Sequence, residues 1–156
     1  MPDPRPTLII RPARENDLPE IQRVDLEAFP AEPYPFFVLR QLFDLYGDHL
    51  IVLDDGTALQ GYVIAAATSA CGPAWLISLG VAQEHRGRGL ARRLVLEMIH
   101  RLRAEGTREL RLTVAPANQP AVHLYRSLGF TPLGDPHKDY FGPGQDRLLM
   151  ALALRR

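Results

Sequence analysis

The chain has 156 residues, enough for one domain with a substantial core. Its hydrophobic fraction of 46% and charged fraction of 23% exclude collagen-like, disordered and coiled-coil proteins. A single cysteine excludes a disulfide framework and metal sites built from several cysteines. Because the sequence shows neither an apolar signal-peptide core nor a run long enough to cross a membrane, we expect a cytoplasmic protein without a membrane partner.

Charge is unevenly distributed along the chain, although the net charge is zero. Residues 1–60 hold 11 acidic residues and 5 arginines, a net of −6, and residues 61–156 hold 7 acidic and 13 basic residues, a net of +6. This distribution would allow the second half to bind an anionic ligand and the first half a cationic one. The alternative is that surface charge is merely uneven, without a functional role. A net charge of zero argues against a nucleic-acid partner.

No repeat, low-complexity segment or linker divides the sequence. We therefore expect a flexible tail at residues 1–6 and a single domain at residues 7–156. In the first predicted helix Asp17 has the position of an N-cap, and the apolar positions are Leu18, Ile21, Val24 and Leu26. The elements predicted for the first half are a strand at 7–11, helices at 17–29 and 36–46, and hairpin strands at 50–53 and 59–68.

The second half alternates strands and helices. The predicted elements are a strand at 75–81, a helix from Leu90 closed by Glu105-Gly106, a strand at 110–114, a helix at 118–127, and strands at 130–132 and 148–154. Gly80, inside the first of these strands, indicates a bulge or a place where another backbone or a ligand approaches closely. The central strand–helix–strand unit implies two parallel strands, and the hairpins imply antiparallel ones. The fold class is therefore α/β (α+β), with a mixed sheet of about seven strands and about four helices.

The most informative segment is the glycine-rich turn at residues 84–89, between a predicted strand and an amphipathic helix. Its glycines allow a tight turn that gathers backbone N–H groups at the positive end of the helix dipole, where a phosphate or pyrophosphate binds well. The absence of a following Lys-Ser or Lys-Thr excludes a P-loop, and the glycine spacing excludes a dinucleotide-binding fingerprint. A tight turn of purely structural role is the alternative. The nearby arginines are Arg86, Arg88, Arg92 and Arg93.

A second segment, residues 118–130, places Tyr125 on a short helix after a strand. Together the two segments resemble the GNAT superfamily of acetyl-CoA-dependent N-acetyltransferases, and the likeness covers almost the whole chain. Arg86-x-x-Gly89-x-Ala91 resembles the pyrophosphate signature of that family, and the run from Asn118 through Leu124-Tyr125 to Leu128-Gly129-Phe130 resembles its second conserved block. Within the superfamily the chain is most similar to the RimI-type ribosomal-protein alanine N-acetyltransferases, through Glu27-Ala28-Phe29-Pro30 and Asp139-Tyr140-Phe141.

The resemblance implies an acetyl-CoA site without a metal. Tyr125 would be the general acid that protonates the coenzyme A thiolate, and its alternative role is packing between helix and sheet. Asn118 would contact the pantetheine arm, as would main-chain groups of Leu79, Gly80 and Val81. Backbone N–H groups would bind the pyrophosphate at Gly87, Arg88, Gly89, Leu90, Ala91 and Arg92, next to Arg86. Residues expected to line the acceptor pocket are Phe29, Tyr34 and Tyr140.

The chain departs from the RimI type at the general base. Where those enzymes carry a glutamate, this chain has Thr113, which cannot act as a base at neutral pH. Deprotonation at pH 7 costs about 1 kcal/mol for an α-amine and roughly 4.6 kcal/mol for lysine, so a site without a base favours an α-amine. His137 and Asp139 are candidate replacement bases.

Three functions stay open on the sequence alone. The first is acetyl transfer to an N-terminal amine of a protein or peptide. The second is acetyl transfer to a small amine such as a polyamine, an amino acid or an aminoglycoside, which the acidic first half would also attract. The third is a non-catalytic acyl-CoA-binding module, against which the presence of Tyr125 argues. A monomer and a homodimer are both compatible with the sequence.

Overall fold

The computed structural model describes residues 7–67 and 72–154. These residues form two compact units. The first unit consists of residues 7–65 and 78–98. The second consists of residues 66–67, 72–77 and 99–154. Thr68, the predicted end of a hairpin strand, and Cys71 lie outside the described residues. No helix of the described segments is long and apolar enough to cross a bilayer.

The described residues form seven strands and four α-helices, as predicted. The helices are α1 (Leu18–Ala28), α2 (Phe36–Tyr46), α3 (Leu90–Ala104) and α4 (Gln119–Ser127). The strands are β1 (Ile9–Pro12), β2 (Leu50–Asp54), β3 (Leu59–Ala66), β4 (Ala74–Val81), β5 (Glu109–Val114), β6 (Thr131–Pro132) and β7 (Leu148–Ala153).

The sheet is mixed and has the strand order β1-β2-β3-β4-β5-β7-β6. β4 and β5 are parallel, with Ala74 opposite Leu110, because α3 carries the chain from one to the other as a crossover. The pairs β1–β2, β2–β3, β5–β7 and β6–β7 are antiparallel. The order of helices and hairpins in the sequence predicts both kinds of pairing.

The buried face of α1 differs from the prediction at one position. Leu26 is 52% exposed, whereas Asp25 is 0% exposed. Asp25 lies four residues after Ile21 and seven after Leu18, and at 100° per residue this spacing places it on their buried face. Leu26, one of the four apolar positions of the predicted helix, therefore lies outside the buried face. The carboxylate of Asp25 is buried there instead.

Asp17 stands at the N-cap position of α1, as predicted, but its side chain does not cap the helix. Its backbone is already helical, with φ −80° and ψ −14°, and its side chain makes no capping hydrogen bond to α1. The carboxylate instead accepts hydrogen bonds from the Arg11 guanidinium at 2.8 and 2.9 Å and from the Arg14 N–H at 2.7 Å. The two bonds from Arg11 on β1 form a bidentate pair between two charged groups, which is stronger than a capping bond from a neutral backbone N–H.

Helix α3 forms as its apolar pattern predicts. The five apolar residues of one face are all buried, namely Leu90, Leu94, Val95, Met98 and Leu102. At its end, Gly106 has φ +87°, and the N–H groups of Gly106 and Thr107 donate to the carbonyls of Arg103 and Leu102. A left-handed glycine after the last turn satisfies helix carbonyls that would otherwise lack donors.

Candidate active site

The end of β4 carries the residues predicted to hold the pantetheine arm, Leu79, Gly80 and Val81. Side chains alternate between buried and half-buried along this strand, and Gly80 falls on the buried face. A Cβ at Gly80 would lie 2.7 Å from Cε1 of Tyr62, closer than atoms can approach. A group does approach Gly80 closely, but it is the aromatic side chain of Tyr62 on β3, whereas the sequence predicts another backbone or a ligand.

The glycine-rich turn adopts a conformation that only glycine takes readily. Gly87 has φ +80° and Gly89 has φ +74°, and a Cβ at either would meet nothing within 4 Å. Glycine is therefore required by backbone conformation and not by lack of space. The Arg93 N–H donates to the Gly89 carbonyl at 3.1 Å, so the N–H groups of residues 90–92 precede the first turn-closing bond of α3. This is the arrangement that binds an anion at a helix start.

The arginines of the turn make different contacts. Nη2 of Arg86 donates to the main-chain carbonyl of Glu27 at 2.9 Å, and the N–H of Gln83 donates to the Glu27 carboxylate at 3.1 Å. Arg88 is exposed, with Nη1 lying 3.4 Å from Nδ1 of His85. Arg86 therefore holds the turn on the last turn of α1. Its predicted role at the pyrophosphate stays a prediction.

Asn118 directly precedes helix α4, and Tyr125 lies within it. Oδ1 of the Asn118 side chain accepts a hydrogen bond from the N–H of Ala121 at 3.3 Å, so this side chain caps α4. Tyr125 is 7% exposed, and its ring meets the Phe130 ring edge-on at 5.7 Å between centroids. Burial raises the pKa of the Tyr125 phenol to about 12. The phenol therefore keeps its proton at neutral pH and is available as an acid.

The residues expected at the acceptor pocket lie in two loops. In the α1–α2 loop, Phe29 is 38% exposed and Tyr34 is half-buried. The N–H of Tyr34 donates to Oδ2 of Asp25 at 2.7 Å, and burial together with the Asp25 charge raises the pKa of the Tyr34 phenol. In the β6–β7 loop, Tyr140 is 45% exposed and stacks on Phe141 at 5.4 Å between centroids. The first unit contains Phe29 and Tyr34, and the second contains Tyr140.

The candidate replacement bases have structural contacts within the β6–β7 loop. Oδ1 of Asp139 accepts from the N–H of Gly144 at 2.7 Å, and Asp139 adopts a left-handed φ of +54°. The main chain of His137 pairs with that of Arg147 in both directions, at 2.7 and 3.0 Å. The Asp139 carboxylate thus organises the loop, and a role for either residue as a base stays a prediction.

A family model described as "Acetyltransferase (GNAT) family" matches residues 16–130, well over half of the chain. The chain belongs to the GNAT acetyltransferase family. It is an acetyl-CoA-dependent N-acetyltransferase with the GNAT fold. The family match covers the turn, α3, β5 and α4, which are the segments that resemble the family in sequence.

Relatives within the GNAT family act on different acceptors. The chain is 26% identical to an N-alpha-acetyltransferase of Saccharolobus solfataricus, with 93% of this chain and 92% of that protein covered. It is 28% identical to a spermidine N(1)-acetyltransferase of Escherichia coli K12, with 88% and 80% covered. The crystal structure of the ribosomal-protein-S18-alanine N-acetyltransferase of Escherichia coli aligns with a TM-score of 0.83 and 24% identity, covering 96% of both chains. At that identity the last comparison shows a shared fold.

A buried polar cluster that includes Ser78 of β4 is not predicted from the sequence. Asp25, Tyr62 and Ser78 are buried and linked by hydrogen bonds. Only Asp25 left a signal in the sequence, because it falls at helical spacing within the apolar stripe of α1. Tyr62 and Ser78 lie in apolar strands, where a hydroxyl does not disturb the pattern.

Proposed function

We propose that this GNAT enzyme acetylates the N-terminal α-amine of a protein or peptide. The observation that carries the proposal is Thr113, an uncharged residue on the half-buried face of β5, opposite Leu149 of β7. The resemblance to the RimI type leads us to expect a glutamate at this position. An α-amine loses its proton near neutral pH without help, whereas a lysine amine does not. A site with threonine at this position therefore favours an α-amine.

The proposed roles of the other residues follow from the resemblance to the GNAT family. The N–H groups of residues 90–92 stabilise the pyrophosphate at the positive end of α3. Main-chain groups of Leu79–Val81, with Asn118, hold the pantetheine arm. As the neutral amine nitrogen bonds to the acetyl carbon, the carbon–sulfur bond breaks and the sulfur takes a proton from Tyr125. The proton that the nitrogen loses passes to solvent, from which the Tyr125 phenolate regains its own. Because the Tyr125 phenol has a pKa of about 12, this proton is still in place at about pH 7.8, where an α-amine becomes free.

The finer assignment to ribosomal-protein alanine acetylation rests on two short segments, Glu27–Pro30 and Asp139–Phe141. The 26% identical N-alpha-acetyltransferase, which this chain matches over 93% of its length, supports the broader class of protein α-amines. We therefore propose a protein or peptide with a free amino terminus as the acceptor, with residues 7–156 acting as one domain.

A small polyamine is the second candidate acceptor. The 28% identity to a spermidine acetyltransferase favours it, as do the 11 acidic residues among the first 60 of the chain. An assay that compares spermidine with a peptide acceptor separates the two candidates, because spermidine carries amines but no peptide backbone.

The experiment that tests the proposal measures coenzyme A release from acetyl-CoA with a thiol-reactive dye. The four acceptors are an Ala-starting peptide, the same peptide N-blocked with an internal lysine, spermidine and an aminoglycoside. We expect turnover on the free-amino peptide alone. Turnover on a small amine alone would assign the enzyme to the second candidate, and silence with all four despite acetyl-CoA binding would contradict both.

A further inference from the structure

A buried carboxylate lies near the end of α1, and the proposed mechanism does not use it. Asp25 is 0% exposed. Its Oδ2 accepts from the N–H of Tyr34 at 2.7 Å, and its Oδ1 accepts from the hydroxyl of Tyr62. A buried carboxylate is costly to keep unless its oxygens are hydrogen-bonded. Asp25 therefore fixes the two groups that satisfy it, one in the α1–α2 loop and one on β3.

The hydrogen bonds around Asp25 run in one direction. A carboxylate only accepts, so the Tyr62 hydroxyl donates to Asp25. The Tyr62 oxygen lies 2.8 Å from Oγ of Ser78, and it can then only accept the Ser78 proton. Burial holds the pKa of Tyr62 well above its usual value, so the Tyr62 proton stays in place. The chain from Ser78 through Tyr62 to Asp25 thus has a single arrangement of protons, which makes it stiff.

The hydrogen-bonded chain begins at Ser78, and its other end, Asp25, is bonded to the N–H of Tyr34. Ser78 and Tyr34 lie in the two segments that acetyl transfer has to bring together. Ser78 directly precedes Leu79–Val81, the segment assigned to the pantetheine arm. Tyr34 lies in the α1–α2 loop assigned to the acceptor. Gly80 packs directly on the Tyr62 ring, with no room for a Cβ between them. A shift of β4 therefore reaches Tyr62 by packing as well as by the hydrogen bond from Ser78.

We propose that Asp25 is a positioning residue that couples the strand holding acetyl-CoA to the loop holding the acceptor amine. This inference rests on the proposed function, because that function assigns both segments. Binding at Leu79–Val81 fixes Ser78, Ser78 fixes Tyr62, and Asp25 then holds the main chain at Tyr34. Couplings between two sites ordinarily change affinity by about 5- to 150-fold, so the effect is measurable.

Hydrogen exchange with coenzyme A as the probe tests this coupling. Tyr34 is flanked by Pro33 and Pro35, which have no N–H, so within this tripeptide it supplies the only backbone amide. Mass spectrometry of fragments that differ by these residues therefore reads one hydrogen bond, the one to Asp25. We expect saturating coenzyme A to protect Leu79–Val81 and to slow exchange at Tyr34 by about fivefold or more.

Two variants break the chain at different links, and a third is the control. Tyr62→Phe keeps the ring under Gly80 and removes the hydroxyl, and Ser78→Ala removes the other end. In both variants coenzyme A should still protect Leu79–Val81. It should no longer change the exchange rate of the Tyr34 amide. Tyr46→Phe, on α2, should keep the full response. A merely structural role would lower the melting temperature of the two variants without abolishing this response.

The two failures are distinguishable. If coenzyme A leaves Leu79–Val81 unprotected in the unchanged enzyme, the assignment of the cofactor strand is wrong and the coupling falls with it. If Leu79–Val81 is protected and Tyr34 does not respond, the coupling alone is overturned. A Tyr34 response that persists in both Tyr62→Phe and Ser78→Ala would also overturn it.

Discussion

The guanidinium of Arg86 donates a hydrogen bond of 2.9 Å to the main-chain carbonyl of Glu27. This bond joins the glycine-rich turn to the last turn of α1, which leads into the α1–α2 loop. Arg86 therefore has a structural contact as well as its charge near the proposed pyrophosphate site. Arg88, two residues later, is exposed in the same turn, so the two arginines separate the effect of the contact from that of the charge.

Arg86→Ala and Arg88→Ala should differ in stability. Both remove a positive charge, so both should weaken acetyl-CoA binding more at low salt than at high salt. Only Arg86→Ala removes the bond to Glu27, and we expect it to lower the melting temperature by about 2–4 °C, as a loss of about 1 kcal/mol does in a protein of this size. Thermal unfolding of both variants checks this. Equal melting temperatures would contradict a stabilising role for the Arg86 contact.

Gly80→Ala should destabilise the enzyme by about 1–3 kcal/mol, the usual effect of overpacking. The added methyl group would lie 2.7 Å from the Tyr62 ring, so either β4 or Tyr62 must move. Gly47→Ala is the matched control, because Gly47 has φ −58° and its Cβ would make an ordinary contact of 3.5 Å with Phe43. Urea unfolding measures both. A Gly80→Ala protein as stable as the Gly47→Ala protein would contradict the close approach.

Gly89→Ala should weaken acetyl-CoA binding by about tenfold, the effect of losing one hydrogen bond to a charged group. A left-handed alanine costs about 1–2 kcal/mol, and relief of that strain would turn the N–H groups at the start of α3. Gly106→Ala has the same strain, at φ +87°, beyond the other end of α3. Both should lose similar stability, and calorimetry should find weaker acetyl-CoA binding only for Gly89→Ala. Equal dissociation constants in the two variants would show that the turn does not bind the pyrophosphate.

Tyr125→Phe should lower kcat by about 10²- to 10⁴-fold, as loss of a general acid does, and should leave acetyl-CoA affinity unchanged. Phenylalanine keeps the edge-on contact with Phe130, so the fold is preserved. Because the phenol has a pKa of about 12, it stays protonated below that pH. In the unchanged enzyme, kcat/KM should therefore rise through the amine pKa of about 7.8 and stay level to pH 10. A fall in kcat/KM centred below pH 10 would contradict the assignment.

Patterns within a single element predict most of the fold. The apolar spacing between Leu90 and Leu102 and the glycine that follows define α3, and both signals lie within one short stretch of chain. The glycine-rich turn and the segment around Tyr125 are local too. Each of these features can therefore be recognised from the order of residues alone.

Contacts between distant segments cannot be predicted in this way. Asp17 occupies the N-cap position of α1, but its carboxylate is bound by Arg11 on another element, and local propensity does not report that partner. The hydrogen bonds among Asp25, Tyr62 and Ser78 join three elements, and only the packing of α1 against β3 and β4 brings them together. The polar cluster of Asp25, Tyr62 and Ser78 thus depends on tertiary structure.

One measurement tests the central claim most directly. A single peptide with a free alanine amino terminus and one internal lysine is incubated with the enzyme and acetyl-CoA near neutral pH, and the acetyl group is located by fragment mass spectrometry. Both amines share one chain and one concentration, so the ratio of products reports the preference of the site. We predict acetylation of the α-amine at early times. Preferential acetylation of the lysine would contradict the account, because it would require a base that Thr113 does not supply.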